Sequence, residues 1–190
     1  MNPTGDSRIE SLSRWRLPPE MPFAVMRKLQ DFSRIQQRLL FNRDILSAFD
    51  AHAFLLPRPF HSPFELKTMR TAVETILETI DADGKIVVYG DYDVDGVTAS
   101  SLLVQTLRAL GADASGYIPN RFEEGYGVNP AAIEQLAKSG TALTVTVDCG
   151  IRSPEEVELA KSLGMKMIVT DHHEPGPVLP DASAVTHIFD

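Results

Sequence analysis

Acidic and histidine side chains gather at three points in the second half of the chain. They are Asp91, Asp93 and Asp95 at the first point, Asp148 at the second, and Asp171, His172 and His173 at the third. Carboxylates and imidazoles are ligands that suit Mn²⁺, Mg²⁺ or Zn²⁺. Because crowded carboxylates repel one another unless a cation lies between them, these residue types predict a metal site. The chemistry that such a site favours is metal-assisted hydrolysis of a phosphate ester.

Each of the three points follows a short apolar run that predicts a buried parallel strand. Strands are predicted over 86–89, 114–118, 143–147 and 165–170, and helices over 97–110, 129–140 and 153–163. Alternating strands and helices predict an α/β fold, a doubly wound parallel sheet flanked by helices. Ligands bind such sheets at the carboxyl ends of the strands. We therefore expect all five aspartates and both histidines to converge there, with the two adjacent histidines pointing in opposite directions.

Residues 1–63 are predicted to form a helical or irregular N-terminal extension. Apolar residues spaced by three or four predict a helix between Pro22 and Phe49, and a second apolar stripe predicts a helix over 66–80. Pro154 and the two glutamates after Ser153 predict a capping box at the last helix. The first helix carries several arginines, and a solvated basic face is favoured over a contact with nucleic acid.

Composition narrows the class of protein. The 190 residues are 43% hydrophobic and 23% charged, which is typical of globular domains. The net charge is −8, and it divides into +1 over residues 1–85 and −9 over residues 86–190. An acidic half disfavours direct binding of nucleic acid, although bound cations would attract phosphate. One cysteine, Cys149, excludes an internal disulfide and is predicted to be a packed residue. No membrane segment or signal peptide is recognisable, so a cytoplasmic location without a membrane partner is expected.

Other metal and phosphate sites fit less well. An EF-hand loop that begins at Asp91 would need glutamate at its twelfth position, where the chain has Leu102. Gly90 and Gly96 form neither a dinucleotide fingerprint nor a Walker loop. Aspartates at strand ends can also cap helices or shape turns, which is the better interpretation of Asp95 or Asp148 taken alone. In a two-ion site, Asp148 is the candidate for the bridging ligand.

The motifs resemble those of the DHH phosphoesterases. Val88 to Gly96 resembles motif I of that family, Val147 to Gly150 resembles motif II, and Asp171-His172-His173 is similar to motif III. The stretch 119–127 and the lead-in 62–67 resemble the RecJ family of exonucleases within it.

This resemblance implies a Mn²⁺- or Mg²⁺-dependent exonuclease that degrades single-stranded DNA from its 5′ end in DNA repair and recombination. It also implies single-strand-binding protein or a helicase as possible partners. Its implied site residues are the metal ligands Asp93, Asp95, Asp148 and His172, the acidic Asp91 as a ligand or close behind one, His173 as the catalytic contact to the scissile phosphate, and Asn120 and Arg121 as substrate contacts.

The resemblance runs from about 54 to about 185 and does not reach the family's fourth motif, which carries a further metal-binding aspartate. Residues 64–190 are therefore interpreted as a partial DHH domain with motifs I to III, and we expect a truncated chain with little nuclease activity alone. Two other hypotheses stay open. One is a DHH phosphodiesterase or phosphatase for small substrates, and the other is a non-catalytic DHH-like module that binds nucleic acid or a partner.

Overall fold

A computed structural model describes residues 18–56, 61–120, 122, 125 and 127–188. The chain divides into two compact units, with the boundary between residues 60 and 61. The first unit is helical and the second contains the sheet, and each is built around its own buried residues. No helix in the described part of the chain is long and apolar enough to cross a membrane.

Three short helices form the described part of the first unit. They are α1 (Phe23–Lys28), α2 (Arg34–Phe41) and α3 (Ala48–Leu55). The single helix predicted between Pro22 and Phe49 is therefore wrong, although its helical character is confirmed. Ser33 interrupts it, because its hydroxyl accepts a hydrogen bond from the Gln36 backbone N while the Gln36 side chain accepts one from Ser33 N. This capping box begins a new helix.

Five parallel strands form the sheet of the second unit, in the order β2-β1-β3-β4-β5. The strands are β1 (Lys85–Gly90), β2 (Ala114–Tyr117), β3 (Thr141–Val147), β4 (Lys166–Asp171) and β5 (Ala184–His187). The helices are α4 (Met69–Asp81), α5 (Val94–Ala109), α6 (Pro130–Lys138) and α7 (Pro154–Ser162), and a single 3₁₀ turn, Pro63–Glu65, precedes α4. The predicted fold class, a parallel sheet flanked by helices, is confirmed.

Both faces of the sheet are buried. On β1, Ile86 and Val88 pack with residues of α4 and α5, whereas Val87 and Tyr89 pack with residues of α6 and α7. All four side chains are at most 2% exposed. Burial on both faces explains why this strand is a continuous apolar run rather than an alternating one.

Helix boundaries show where the sequence predictions hold. Asn129 caps α6, since its Oδ1 accepts hydrogen bonds from the backbone N of Ala131 and of Ala132. The capping box predicted at Ser153 is wrong, because this residue is at φ −116° and ψ 52° and its side chain makes no capping bond. Leu110, the C-cap residue after α5, is exposed although it has an apolar side chain.

The edge strand β5 was not predicted. It pairs in parallel with β4, with Ala184 opposite Ile168 and His187 opposite Asp171. The Thr68 hydroxyl, just before α4, donates a hydrogen bond of 2.6 Å to the carbonyl oxygen of Val185. β5 is therefore held by its pairing with β4 and by the hydrogen bond from Thr68 at the start of α4.

Candidate metal centre

The turn between β1 and α5 places the first aspartates. Asp93 is the N-cap of α5, and its Oδ1 accepts hydrogen bonds from Gly96 N at 3.2 Å and Asp95 N at 2.9 Å. The bond from Gly96, followed by the one from Asp95, holds the pKa of Asp93 below its ordinary value. The capping role suggested as the alternative for Asp95 or Asp148 thus belongs to Asp93, and it fixes the orientation of the Asp93 carboxylate.

Gly96 lets α5 approach the end of β1 closely. A Cβ at this position would lie 2.6 Å or less from the backbone N, C and O atoms of Asp91. Real Cβ atoms essentially never come so close. The glycine thus lets the Asp91 backbone pack directly against the first turn of α5, which explains why the acidic run ends in glycine.

Asp148 follows β3 in an unusual backbone conformation. Its φ is +63°, in the left-handed region that costs most residues about 1–2 kcal/mol and that aspartate tolerates better than most. Its side chain is 7% exposed, and Oδ1 lies 3.0 Å from Nε2 of His172. Burial raises the pKa of Asp148, and the neighbouring Asp93 charge raises it further. A cation at this point would relieve both effects.

Asp171, at the end of β4, organises the two histidines. Its Oδ1 accepts hydrogen bonds from the backbone N of His172 and of His173 and lies 2.7 Å from Nδ1 of His173, while Oδ2 accepts one from Ile151 N. Burial alone would raise the pKa of Asp171, but the bonds from Ile151 and His173 outweigh it and the pKa is lowered. Sequence reasoning placed this aspartate at the sheet edge without giving it a role.

Among the residues that the structure describes, two sets of side chains offer ligand atoms within 4.8 Å of one another. One consists of Asp148, His172 and His173, and the other of Asp91, Asp93 and Asp148. Asp148 is common to both. The expectation that the two histidines point in opposite directions is wrong, because their ring centroids lie 4.8 Å apart. The backbone turns back onto Asp171 after β4 instead of continuing as a strand.

The remaining predicted site residues lie outside these two sets. Asp95 is exposed in the first turn of α5. Asn120 is also exposed, and its side-chain oxygen accepts a hydrogen bond from Phe122 N. Arg121 lies outside the described residues. The structure thus brings together five of the predicted residues, namely Asp91, Asp93, Asp148, His172 and His173.

The residues present fit a divalent cation. Asp91 is 4% exposed, and its Oδ1 is fully buried without a hydrogen-bond partner among the described residues. An unpaired buried carboxylate oxygen is costly, so it needs either a proton or a positive partner. Carboxylates combined with imidazole are donors that Mn²⁺ accepts readily.

Cys149 plays no part in this chemistry. It is 1% exposed, and its Sγ lies 3.7 Å from the carbonyl oxygen of Tyr89. Burial, followed by the charge of Asp171, raises the pKa of the thiol far above its ordinary value. The burial confirms the prediction of a packed cysteine. Because only the thiolate acts as a nucleophile, the raised pKa also argues against a nucleophilic role.

A cleft of about 520 Å³ opens beside the histidine turn. His173 and Asp171 line one part of it, and Gly150 and Arg152 line another. Arg152 is the only lysine or arginine among the lining residues that the structure describes. Its Nε donates a hydrogen bond to the carbonyl oxygen of Glu174, which holds the guanidinium at the edge of the cleft.

Replacing Asp171 with asparagine is expected to lower the pKa of His173. The hydrogen bond to Asp171 is the main cause that raises this pKa above 6.5. A histidine whose pKa is higher in the folded than in the unfolded protein stabilises the fold fully at pH values below its unfolded-state pKa. That contribution is lost as the pH rises through its folded-state pKa. The lowered pKa of Asp171 adds stability above 3.8 that is lost as the pH falls.

The pair should therefore stabilise the metal-free protein most between these two ordinary values. NMR titration of His173 would measure the change in its pKa. Urea unfolding between pH 3.8 and pH 6.5, and again above pH 6.5, would measure the change in the free energy of unfolding. An unchanged His173 titration in Asp171→Asn would contradict this account.

Comparison with known proteins agrees with the geometry. The sequence family described as the N-terminal domain of the DHH family matches residues 85–190. The single-stranded-DNA-specific exonuclease RecJ of Bacillus subtilis (strain 168) is 40% identical over 183 residues, which cover 94% of this chain and 23% of that protein. RecJ of Salmonella typhimurium (strain LT2) is 47% identical over 122 residues, covering 64% of this chain and 21% of that protein. The chain thus spans about a quarter of the length of these relatives.

Solved structures give the same result. A crystal structure of the exonuclease RecJ bound to manganese superposes with a TM-score of 0.63 and 40% identity, covering 68% of this chain and 33% of that one. RecJ from Thermus thermophilus in complex with Mn²⁺ has a TM-score of 0.61 and 30% identity, covering 86% of this chain and 22% of that one. Since the family match includes every residue of the two acidic and histidine sets, the chain belongs to the DHH family.

Proposed function

We propose that this chain binds Mn²⁺ or Mg²⁺ and serves the hydrolysis of phosphodiester bonds in single-stranded DNA, from the 5′ end. The observation that supports the proposal is that Asp148 belongs to both sets of candidate ligands, so its carboxylate would be shared if two cations bound. The RecJ relatives are described as single-stranded-DNA-specific exonucleases, and two structural neighbours contain manganese.

The ligand set divides between the two sides of Asp148. Asp93 is oriented by its capping bonds, and the buried Asp91 Oδ1 has no competing partner among the described residues. On the other side, His172 lies within hydrogen-bond distance of Asp148. Asp95, in the first turn of α5, is the remaining proposed ligand. When bound, two cations would supply an activated water and compensate the charge on the departing oxygen.

His173 is the proposed contact to the scissile phosphate. Its pKa is raised chiefly by the bond to Asp171, so a larger fraction of the ring is protonated at neutral pH than in a free histidine. A protonated imidazole can donate a hydrogen bond to a phosphate oxygen and offset its charge. Asp171 meanwhile prevents the ring from turning away, because it binds both the ring and the backbone N.

DNA affinity is expected to be modest. Phosphate binding depends on clustered lysines and arginines, and Arg152 is the single one along the described lining of the cleft. We therefore propose slow hydrolysis by this chain alone. Asn120 and Arg121 are proposed as further substrate contacts. The proposed setting is DNA repair and recombination in the cytoplasm, with single-strand-binding protein or a helicase as candidate partners.

Mn²⁺ binding and DNA hydrolysis by the purified chain test the proposal. We expect calorimetry to detect Mn²⁺ binding that Asp148→Asn abolishes. With Mn²⁺ present, a 5′-labelled single strand should lose its label slowly. Its hydrolysis should nevertheless be faster than that of the same strand in a duplex and faster than that of a dinucleotide.

Three outcomes would contradict parts of this proposal. Absence of Mn²⁺ binding would favour a non-catalytic module. Preferential hydrolysis of the dinucleotide would favour a phosphodiesterase for small substrates. Equal hydrolysis by the Asp148→Asn chain would contradict the role proposed for Asp148, because that variant lacks the shared carboxylate.

A further inference from the structure

His187, the last residue of β5, contacts the backbone of the histidine turn. It is 5% exposed and is the register partner of Asp171 on β4. Its Nε2 lies 2.8 Å from the carbonyl oxygen of His173. A carbonyl can only accept a hydrogen bond, so Nε2 carries the proton and donates it.

His173 is consequently held from two sides. Asp171 accepts hydrogen bonds from its backbone N and lies 2.7 Å from its ring Nδ1. His187 binds its carbonyl oxygen from the neighbouring strand. The next residue, Glu174, offers its carbonyl oxygen to Arg152. Together these bonds fix the peptide groups before and after the residue that carries the ring.

The strand that carries His187 is itself anchored. Thr68 donates to the carbonyl oxygen of Val185, and the Thr68 and Thr186 hydroxyls lie 3.3 Å apart. β5 also pairs with β4 along its whole length. His173, in contrast, lies in a turn after the sheet has ended. A contact from a rigid strand to a turn restrains the turn more than the reverse.

We propose that His187 is a positioning residue, which holds the His173 carbonyl and thereby keeps the His173 ring atom within 4.8 Å of the ligand atoms of Asp148 and His172. The ring then stays within reach of the ligand set even before a metal binds. The consequences for metal affinity and for hydrolysis rest on the function proposed above, whereas the consequence for the His173 ring does not.

Two substitutions separate positioning from packing. His187→Leu fills a similar space without a donor, and His187→Gln restores a side-chain N–H that can reach the carbonyl. In the metal-free chain with ¹⁵N-labelled histidine, we expect the His173 Nδ1 proton of His187→Leu to exchange with solvent roughly tenfold faster. Mn²⁺ should bind it roughly tenfold more weakly, because the loosened turn also carries His172, a proposed ligand. His187→Gln should recover most of both.

Thr68→Val is the matched control. It removes the hydrogen bond to Val185, but β5 keeps its pairing with β4 and His187 keeps its contact with the His173 carbonyl oxygen. We expect it to lower the free energy of unfolding while leaving the His173 proton and the Mn²⁺ affinity close to those of the unmodified chain.

Unchanged exchange and affinity in His187→Leu would overturn the proposal, and so would equal changes in Thr68→Val. If the leucine variant does not fold, His187→Asn replaces it, since its amide is too short to reach the carbonyl and the same outcomes apply. Failure of the unmodified chain to hydrolyse DNA would count against the proposed function alone, because the proton exchange is measured without metal or DNA.

Discussion

Asp148→Asn is expected to remove Mn²⁺ binding and to lower hydrolysis by at least about a hundredfold, more than the loss of an outer partner of a metal ligand produces. Asp148 is the single residue that belongs to both sets of candidate ligands. Asparagine keeps the size of the side chain and tolerates the positive φ of +63° at this position. The variant should therefore fold normally, and calorimetry with Mn²⁺ together with a nuclease assay would measure the loss.

Asp113→Asn is the matched control for this substitution. Asp113 is an exposed aspartate immediately before β2, at the end of the sheet opposite to the metal centre. Removing its charge changes the net charge of the chain by the same amount, and Mn²⁺ affinity should stay the same. If the two variants weakened Mn²⁺ binding equally, general electrostatics and not a specific ligand would account for it.

Gly96→Ala is expected to destabilise the fold by about 1–3 kcal/mol and to weaken Mn²⁺ binding as well. The added Cβ would lie 2.6 Å or less from three backbone atoms of Asp91, and backbone cannot move aside as the end of a flexible side chain can. Either α5 or the end of β1 must shift, and Asp91 and Asp93 shift with them. Urea unfolding and Mn²⁺ calorimetry would measure the two losses.

Gly116→Ala provides the comparison. Gly116 lies in β2 of the same sheet, and the nearest atom to a Cβ there is a Val104 methyl carbon at 3.7 Å, an ordinary contact. Its effect on unfolding should be small, and Mn²⁺ affinity should not change. A Gly96→Ala chain as stable as Gly116→Ala would show that the first turn of α5 adapts, and the close approach would then not be required.

The central part of the fold could be predicted because its sequence pattern has one structural interpretation. β1 is buried on both faces and has a continuous apolar run, and β3 is a buried run rich in valine and threonine, so the polar ends of both strands are easy to locate. The proline at the start of α6 and the amide of Asn129 mark a helix start through local hydrogen bonds alone. For these elements, local sequence and tertiary structure favour the same conformation.

Features that depend on distant contacts could not be predicted. β5 has four residues, and its pairing with β4 and its bond to Thr68 make it a strand. The helix predicted between Pro22 and Phe49 has the right apolar spacing, but Ser33 starts a new helix inside it. Asp171 and the direction of both histidine rings follow from the turn after β4, which the sequence pattern of an extended strand does not describe.

The positive φ of Asp148 has a consequence for how such a site is lost. Glycine and asparagine are the residues best suited to this backbone conformation, and each is reached from an aspartate codon by a single base change. Most other replacements would also strain the chain. The commonest tolerated mutations at this position therefore remove the carboxylate and preserve the sheet. In a lineage with this fold, catalysis can disappear while the protein persists, and the descendants remain folded and free to acquire other roles.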